Sequence, residues 1–93
     1  MIVETAEIKL HAPWVSSLKG KRMIVKSLIA RTRNKFNVSI AEIAEQDTHQ
    51  TIILGVACVT SSVSQADSII EHIIALIEGS TEAEIMKITR EIR

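Results

Sequence analysis

Apolar and polar positions alternate from the start of the chain. Over "IVETAEIKLH" (2–11), Ala6, Ile8 and Leu10 alternate with Thr5, Glu7, Lys9 and His11, the period-two pattern of a half-buried strand. Pro13 ends it, because it lacks a ladder donor. Leu18, Val25, Leu28, Ile29, Thr32 and Phe36 then recur at three- and four-residue steps, which predicts a helix over 17–36 with one apolar stripe. "NVSIAEIAEQ" (37–46) resumes a strand pattern, "QDTHQ" is a polar turn, and "TIILGVACVT" (51–60) reads as a β-branched strand. "SVSQADSIIEHIIALIEG" predicts a second helix. Its N-cap is expected at Ser64, Asp67 in its first turn and its stop at Gly79, with an inner face of Ala66, Ile70, Ile73, Ile74 and Ile77. "AEIMKITREIR" (83–93) closes the chain as a strand.

The order β-α-β-β-α-β with short connections is that of an α+β, ferredoxin-like unit: one four-stranded antiparallel sheet with both helices on one face. Residues 1–93 form a single such domain, with no linker or low-complexity tract. The third strand is apolar on both faces, Ile53, Ala57 and Val59 alternating with Ile52, Leu54, Val56 and Cys58. A strand with one wet face does not look like that. A second subunit is therefore expected on the open face or on an edge strand, most simply as a homodimer.

Composition narrows the class. A 46% hydrophobic, 24% charged chain is globular rather than disordered. The lone Cys58 excludes an intramolecular disulfide and a cysteine-rich zinc site, and it fits a reducing cytosol as a small buried hydrophobe. Acids interrupt "MIVETAEIKL", so no signal-peptide run is present, and no apolar stretch approaches a membrane span. The expectation is a cytoplasmic protein without membrane contact.

Charge changes the picture more. The formal net charge is zero, yet residues 1–36 carry eight basic and two acidic side chains and residues 37–93 three basic and nine acidic ones. The first half is +6 and the second −6, as for a molecule with opposed positive and negative sides. The stretch "SLKGKRMIVKSLIARTRNKF" holds seven cations and no acid. On helical geometry Lys19, Arg22, Lys26 and Arg33 fall along one flank of the apolar stripe, and Arg31, Lys35 and Lys21 along the other. Flanking lysines ordinarily keep a helix soluble. Cations in the first turn oppose the helix dipole, however, by about 0.3–1 kcal/mol each, and interior Gly20 costs about 1 kcal/mol relative to alanine. Stability alone would not choose "SLKGKR" to open a helix. Lys19, Lys21, Arg22, Lys26 and Arg33 are thus the candidate nucleic-acid or anion-binding residues.

With only Trp14 and Phe36 as aromatics, base stacking of the kind sheet-face RNA readers use is not expected, and any RNA contact would be made to the backbone. Phe36 belongs to the apolar stripe, and Trp14 reads as a hydrophobic lid. No HxxH, HExxH, CxxC, GxSxG or P-loop spacing is present. His11, Asp47 and His49 are the residues that a strand end and a hairpin turn can bring together, yet Asp47 and Gln50 read most simply as turn residues. The expectation is a non-enzymatic protein with no catalytic residue, metal or cofactor.

Ser17-Leu18-Lys19 with Lys21-Arg22, Lys26-Ser27-Leu28, Phe36-Asn37-Val38-Ser39 with Ala41-Glu42, Gln46-Asp47, Gln50 and Leu54-Gly55-Val56-Ala57 together resemble the YlxP-like family of small bacterial proteins of unknown function. The resemblance covers nearly the whole chain. Gly20 departs from it where a glutamate is usual, which removes half of a Ser17 capping box, and His49 stands where tryptophan is common. The resemblance implies a ferredoxin-like fold and supplies no activity. The family's genes often lie among those of translation initiation and ribosome maturation, so it points to ribosomal RNA or a ribosomal particle as the partner. The alternatives are a homo-oligomeric protein adaptor and a small-anion-binding module.

Overall fold

The computed structural model describes all residues, 1–93. Six elements follow one another: β1 (Ile2–His11), α1 (Leu18–Lys35), β2 (Ser39–Ala44), β3 (Thr51–Thr60), α2 (Val63–Ser80) and β4 (Glu84–Ile92). The four strands form one antiparallel sheet in the order β2-β3-β1-β4, the split βαβ arrangement that the alternation predicts. Both helices lie on one face. Their inner sides meet Ala6, Ile8 and Leu10 of β1 and Ile52, Leu54 and Val56 of β3 in one continuous apolar core. No helix is long and apolar enough to cross a membrane.

Local chemistry accounts for the helix boundaries, with two corrections. At α1 the Ser17 Oγ accepts the Gly20 N–H at 3.0 Å, so the cap survives without a glutamate at position 20. For α2 the cap is Ser62, whose Oγ accepts the Gln65 N–H at 3.2 Å, and not Ser64. Ser62 precedes Val63, which joins the helix despite being half-exposed. Gly79 does not stop the helix. No glycine here has a positive φ, and α2 runs through to Ser80 with Thr81 as an extended C-cap. The inner face of Ala66, Ile70, Ile73, Ile74 and Ile77 is buried as predicted.

Gly55 sits where β3 passes beneath Ile43 of β2. A Cβ there would lie 2.8 Å from Ile43 Cγ2, so only glycine lets that side chain fold across the open face. Ile43 follows from a register shift between Glu42 and Ala44.

Candidate functional site

The apolar stripe of α1 has a lysine in it. Lys21 is fully buried (0% exposed), aligned with Val25, Leu28 and Thr32 on the inner side of the helix. Its place among the exposed candidates is therefore corrected. The spacing 21–25–28–32 puts the residue on the core side, and its ammonium reaches through to the β2–β3 turn. There it donates to the Glu45 carbonyl and, at 2.6 Å, to the Thr48 carbonyl. The Glu42 Oε2 lies 2.9 Å away as a charge contact rather than an aligned hydrogen bond. Two carbonyls thus accept from the ammonium and a carboxylate balances its charge, the condition under which a buried lysine is tolerated. The turn needs such support. Glu45 adopts φ 60°, a left-handed conformation unfavourable for a side chain of that size, and the Thr48 N–H returns to its carbonyl at 3.0 Å. One of the three cations at the helix start is therefore a clamp on a turn.

The other six cations of α1 remain outside. Lys19, Arg22, Lys26, Arg31, Arg33 and Lys35 are all exposed, α1 contains no acidic residue, and none of the six lies within ion-pair distance of a carboxylate. Lys19, Arg22, Lys26 and Arg33 share the flank of α1 nearer the β2 edge. Arg33 marks that side by donating from Nη2 to the Ile40 carbonyl at 3.0 Å. In contrast, α2 carries Asp67, Glu71 and Glu78 and no lysine or arginine. Four residues before α1, Trp14 stands 53% exposed in a turn held by the Gln50 amide, which donates to the carbonyls of Pro13 (3.0 Å) and Val15 (3.3 Å). Trp14 therefore faces solvent where the sequence predicts a lid, while its neighbours Ala12 and Val15 are the residues buried there. Phe36 packs against the core as predicted.

A second buried charge lies near the opposite end of the sheet. Glu4 of β1 is 1% exposed, and its Oε2 accepts from Arg90 Nη2 (2.8 Å) and Nε (3.0 Å). Arg90 also reaches Asp67 (3.2 Å) and Glu71 of α2, so three carboxylates share one guanidinium. Glu4 is the most buried of them, and its Oε1 has no donor. Desolvation, with Asp67 close by, pushes its carboxyl above the ordinary 4.5, although Arg90 pulls the other way. Burial works against the charge of Arg90, but Glu4 and Glu71 outweigh it and hold the guanidinium firmly protonated. Burial, then the charge of Glu4, pushes the thiol of Cys58 upward, consistent with an inert core residue.

His11, Asp47 and His49 form no metal-binding group; no three His, Cys, Asp or Glu side chains gather to hold an ion. Asp47 and His49 are exposed in the β2–β3 turn. His72, on the outer side of α2, donates from Nδ1 to the Ser68 carbonyl at 2.6 Å. The open sheet face carries a shallow depression of about 400 Å³ over small side chains, with Thr5, Ser39, Ala41 and Ala57 around Gly55.

A family model described as a protein of unknown function, DUF503, matches residues 3–90 of this chain. The "Uncharacterized protein YlxP" of Bacillus subtilis (strain 168) is 44% identical over 68 residues, covering 73% of this chain and 74% of that protein. Among solved structures, a de novo designed protein with ferredoxin fold, determined by solution NMR, superposes with TM-score 0.65 at 24% identity over 100% of this chain and 86% of its own. The de novo designed protein Foldit4 superposes with TM-score 0.54 at 11% identity, over 97% and 94% of the two chains. These two likenesses concern the fold alone.

Proposed function

The chain belongs to the DUF503 family of proteins of unknown function, and within it we propose a non-enzymatic factor that docks the outer face of α1 on a nucleic-acid backbone, structured ribosomal RNA in particular. The observation that carries the reading is the composition of that face: six exposed cations on eighteen residues, with no acid in the helix and no carboxylate within ion-pair distance. Such a surface is repelled by itself in the free protein, and phosphates neutralise it while releasing condensed counterions. Lys19, Arg22 and Lys26, with Arg33 further along, form its denser flank. Lys21 takes no part, since its ammonium is spent on the turn.

Base reading is not part of the proposal. Trp14 is the one exposed aromatic near the helix start, and recognition of single-stranded bases generally needs two or three. The test is the salt dependence of binding to structured ribosomal RNA. Binding through four phosphate contacts is expected to follow a log–log slope of about −3 to −4, from roughly −0.7 to −0.9 per contact. Salt-insensitive binding to an acidic protein, with no affinity for RNA, would instead identify a protein adaptor and overturn the proposal.

A further inference from the structure

The other side of the molecule carries its own surface. β4 is an edge strand of nine residues without proline or glycine, and only β1 pairs with it. Val3 and Arg93 exchange both backbone bonds (3.3 and 2.7 Å), so alternate residues of β4 turn their N–H and C=O toward β1. These are Arg93, Glu91, Thr89 and Lys87. The backbone groups of Ile88, Arg90 and Ile92 therefore point outward, unpaired by any strand.

We propose that this free edge pairs antiparallel with β4 of a second copy about a two-fold axis at Thr89, making one continuous eight-stranded sheet. The outward groups then bond in pairs, Ile88 with Arg90 of the second copy and the reverse. The side chains choose that register. Centred on Thr89, Lys87 lies opposite Glu91 on the open face, whereas Met86 is skipped by a bulge that pairs Lys9 with Lys87 and Leu10 with Ile85 and takes no part in the register. Centring the axis at Arg90 would oppose Arg90 to itself and Lys87 to Arg93, which like-charge repulsion forbids. The register also answers an anomaly inside the chain. Lys9 and Lys87 are direct cross-strand partners on the open face, a like-charge pair that destabilises a sheet unless an anion approaches. Glu91 of the second copy brings that carboxylate; within one chain Glu91 meets only its own Arg93, at 3.1 Å. The other edge, β2, is shorter and lies beside the cationic flank of α1, so two copies meeting there would set like charges together.

Light scattering across protein concentrations, combined with amide hydrogen exchange, tests the proposal. The expected result is a dimer at high concentration in which the amides of Ile88, Arg90 and Ile92 become protected. Lys87→Glu or Glu91→Lys alone should give a monomer with those amides unprotected, and the double variant should restore the dimer, because each swapped charge again meets its opposite. Lys87→Glu also removes the Lys9–Lys87 repulsion, so its monomer should unfold no more easily than the parent, separating lost pairing from lost folding. A monomeric parent at high micromolar concentration would overturn the proposal. So would a dimer whose three edge amides stay unprotected, or a double variant that stays monomeric.

Discussion

Two helices of equal length lie side by side on one sheet face and bury themselves by different means. α2 does so with aliphatic side chains alone: Ala66, Ile70, Ile73, Ile74 and Ile77 form an unbroken inner stripe. α1 buries Val25, Leu28 and Thr32 and adds Lys21, a charge carried into the core to hold a turn. Outside, the contrast reverses sign, α1 presenting six cations and α2 three carboxylates and no cation. An all-apolar stripe reports packing and nothing else. A stripe interrupted by a charge shows that the helix also supports a neighbouring segment, and the charges left over after that task are the ones open to another role.

The largest effect should come from breaking the buried charge. Lys21→Met leaves Glu42 and two carbonyls without their cation and is expected to destabilise the fold by about 3–5 kcal/mol, read by chemical denaturation. Adding Glu42→Gln should recover part of that loss, since the unpaired carboxylate is then gone. On α2 the matching test is Ile73→Ala, which opens a cavity in the core and should cost about 2–5 kcal/mol. No partner substitution of this kind should rescue it.

Glu4 sharpens the comparison from the opposite end of the sheet, where a buried charge is left incompletely satisfied. Its folded carboxyl lies above the ordinary 4.5, so the folded state binds that proton more readily than the unfolded chain. This contribution to stability is complete in acid below about pH 4.5 and is lost as pH rises through the raised value. Glu4→Gln, facing Arg90, Asp67, Glu71 and Cys58, should therefore stabilise the fold at neutral pH by roughly 1 kcal/mol, seen as a higher thermal midpoint, and flatten the pH dependence above 4.5. An unchanged pH profile would show that Arg90 satisfies the carboxylate after all. The smallest effect is expected at Gly79, which lies inside α2 with open space around its Cα. Gly79→Ala should stabilise by about 0.5–1 kcal/mol in thermal unfolding.

Much of this was legible in the sequence, for physical reasons that vary by element. The strand and helix order, the five-residue inner face of α2 and the buried Cys58 follow from periodicity, because hydrophobic burial is what periodicity encodes. The burial of Lys21 is less legible, although its signal is present in the spacing. Positions 21, 25, 28 and 32 keep a four-three-four spacing, but residue type outweighed position, since a lysine is rarely buried. What lets it be buried, the paired carbonyls of a turn more than twenty residues later, is a tertiary fact. The cap of α2 is ambiguous in sequence for a related reason: Ser62 and Ser64 carry the same chemistry, and only the chain direction after β3 selects Ser62. The edge position of β4 follows from the ferredoxin-like order, while which of its backbone groups face outward depends on its hydrogen-bond register with β1, which alternation does not specify. The exposed cations of α1 were legible as charges, while their freedom from carboxylates became visible only in three dimensions.

The division of α1 into one structural cation and several exposed ones is the central claim. The direct measurement is the Lys19→Ala, Arg22→Ala, Lys26→Ala triple variant, followed by denaturation and by salt-dependent titration with structured ribosomal RNA. Each of these surface changes should move stability by no more than about 0.5 kcal/mol, while the log–log slope should fall by about 2 to 3. A triple variant that folds like the parent and binds with the parent's affinity and slope would contradict the account, leaving α1 a solvated face and nothing more.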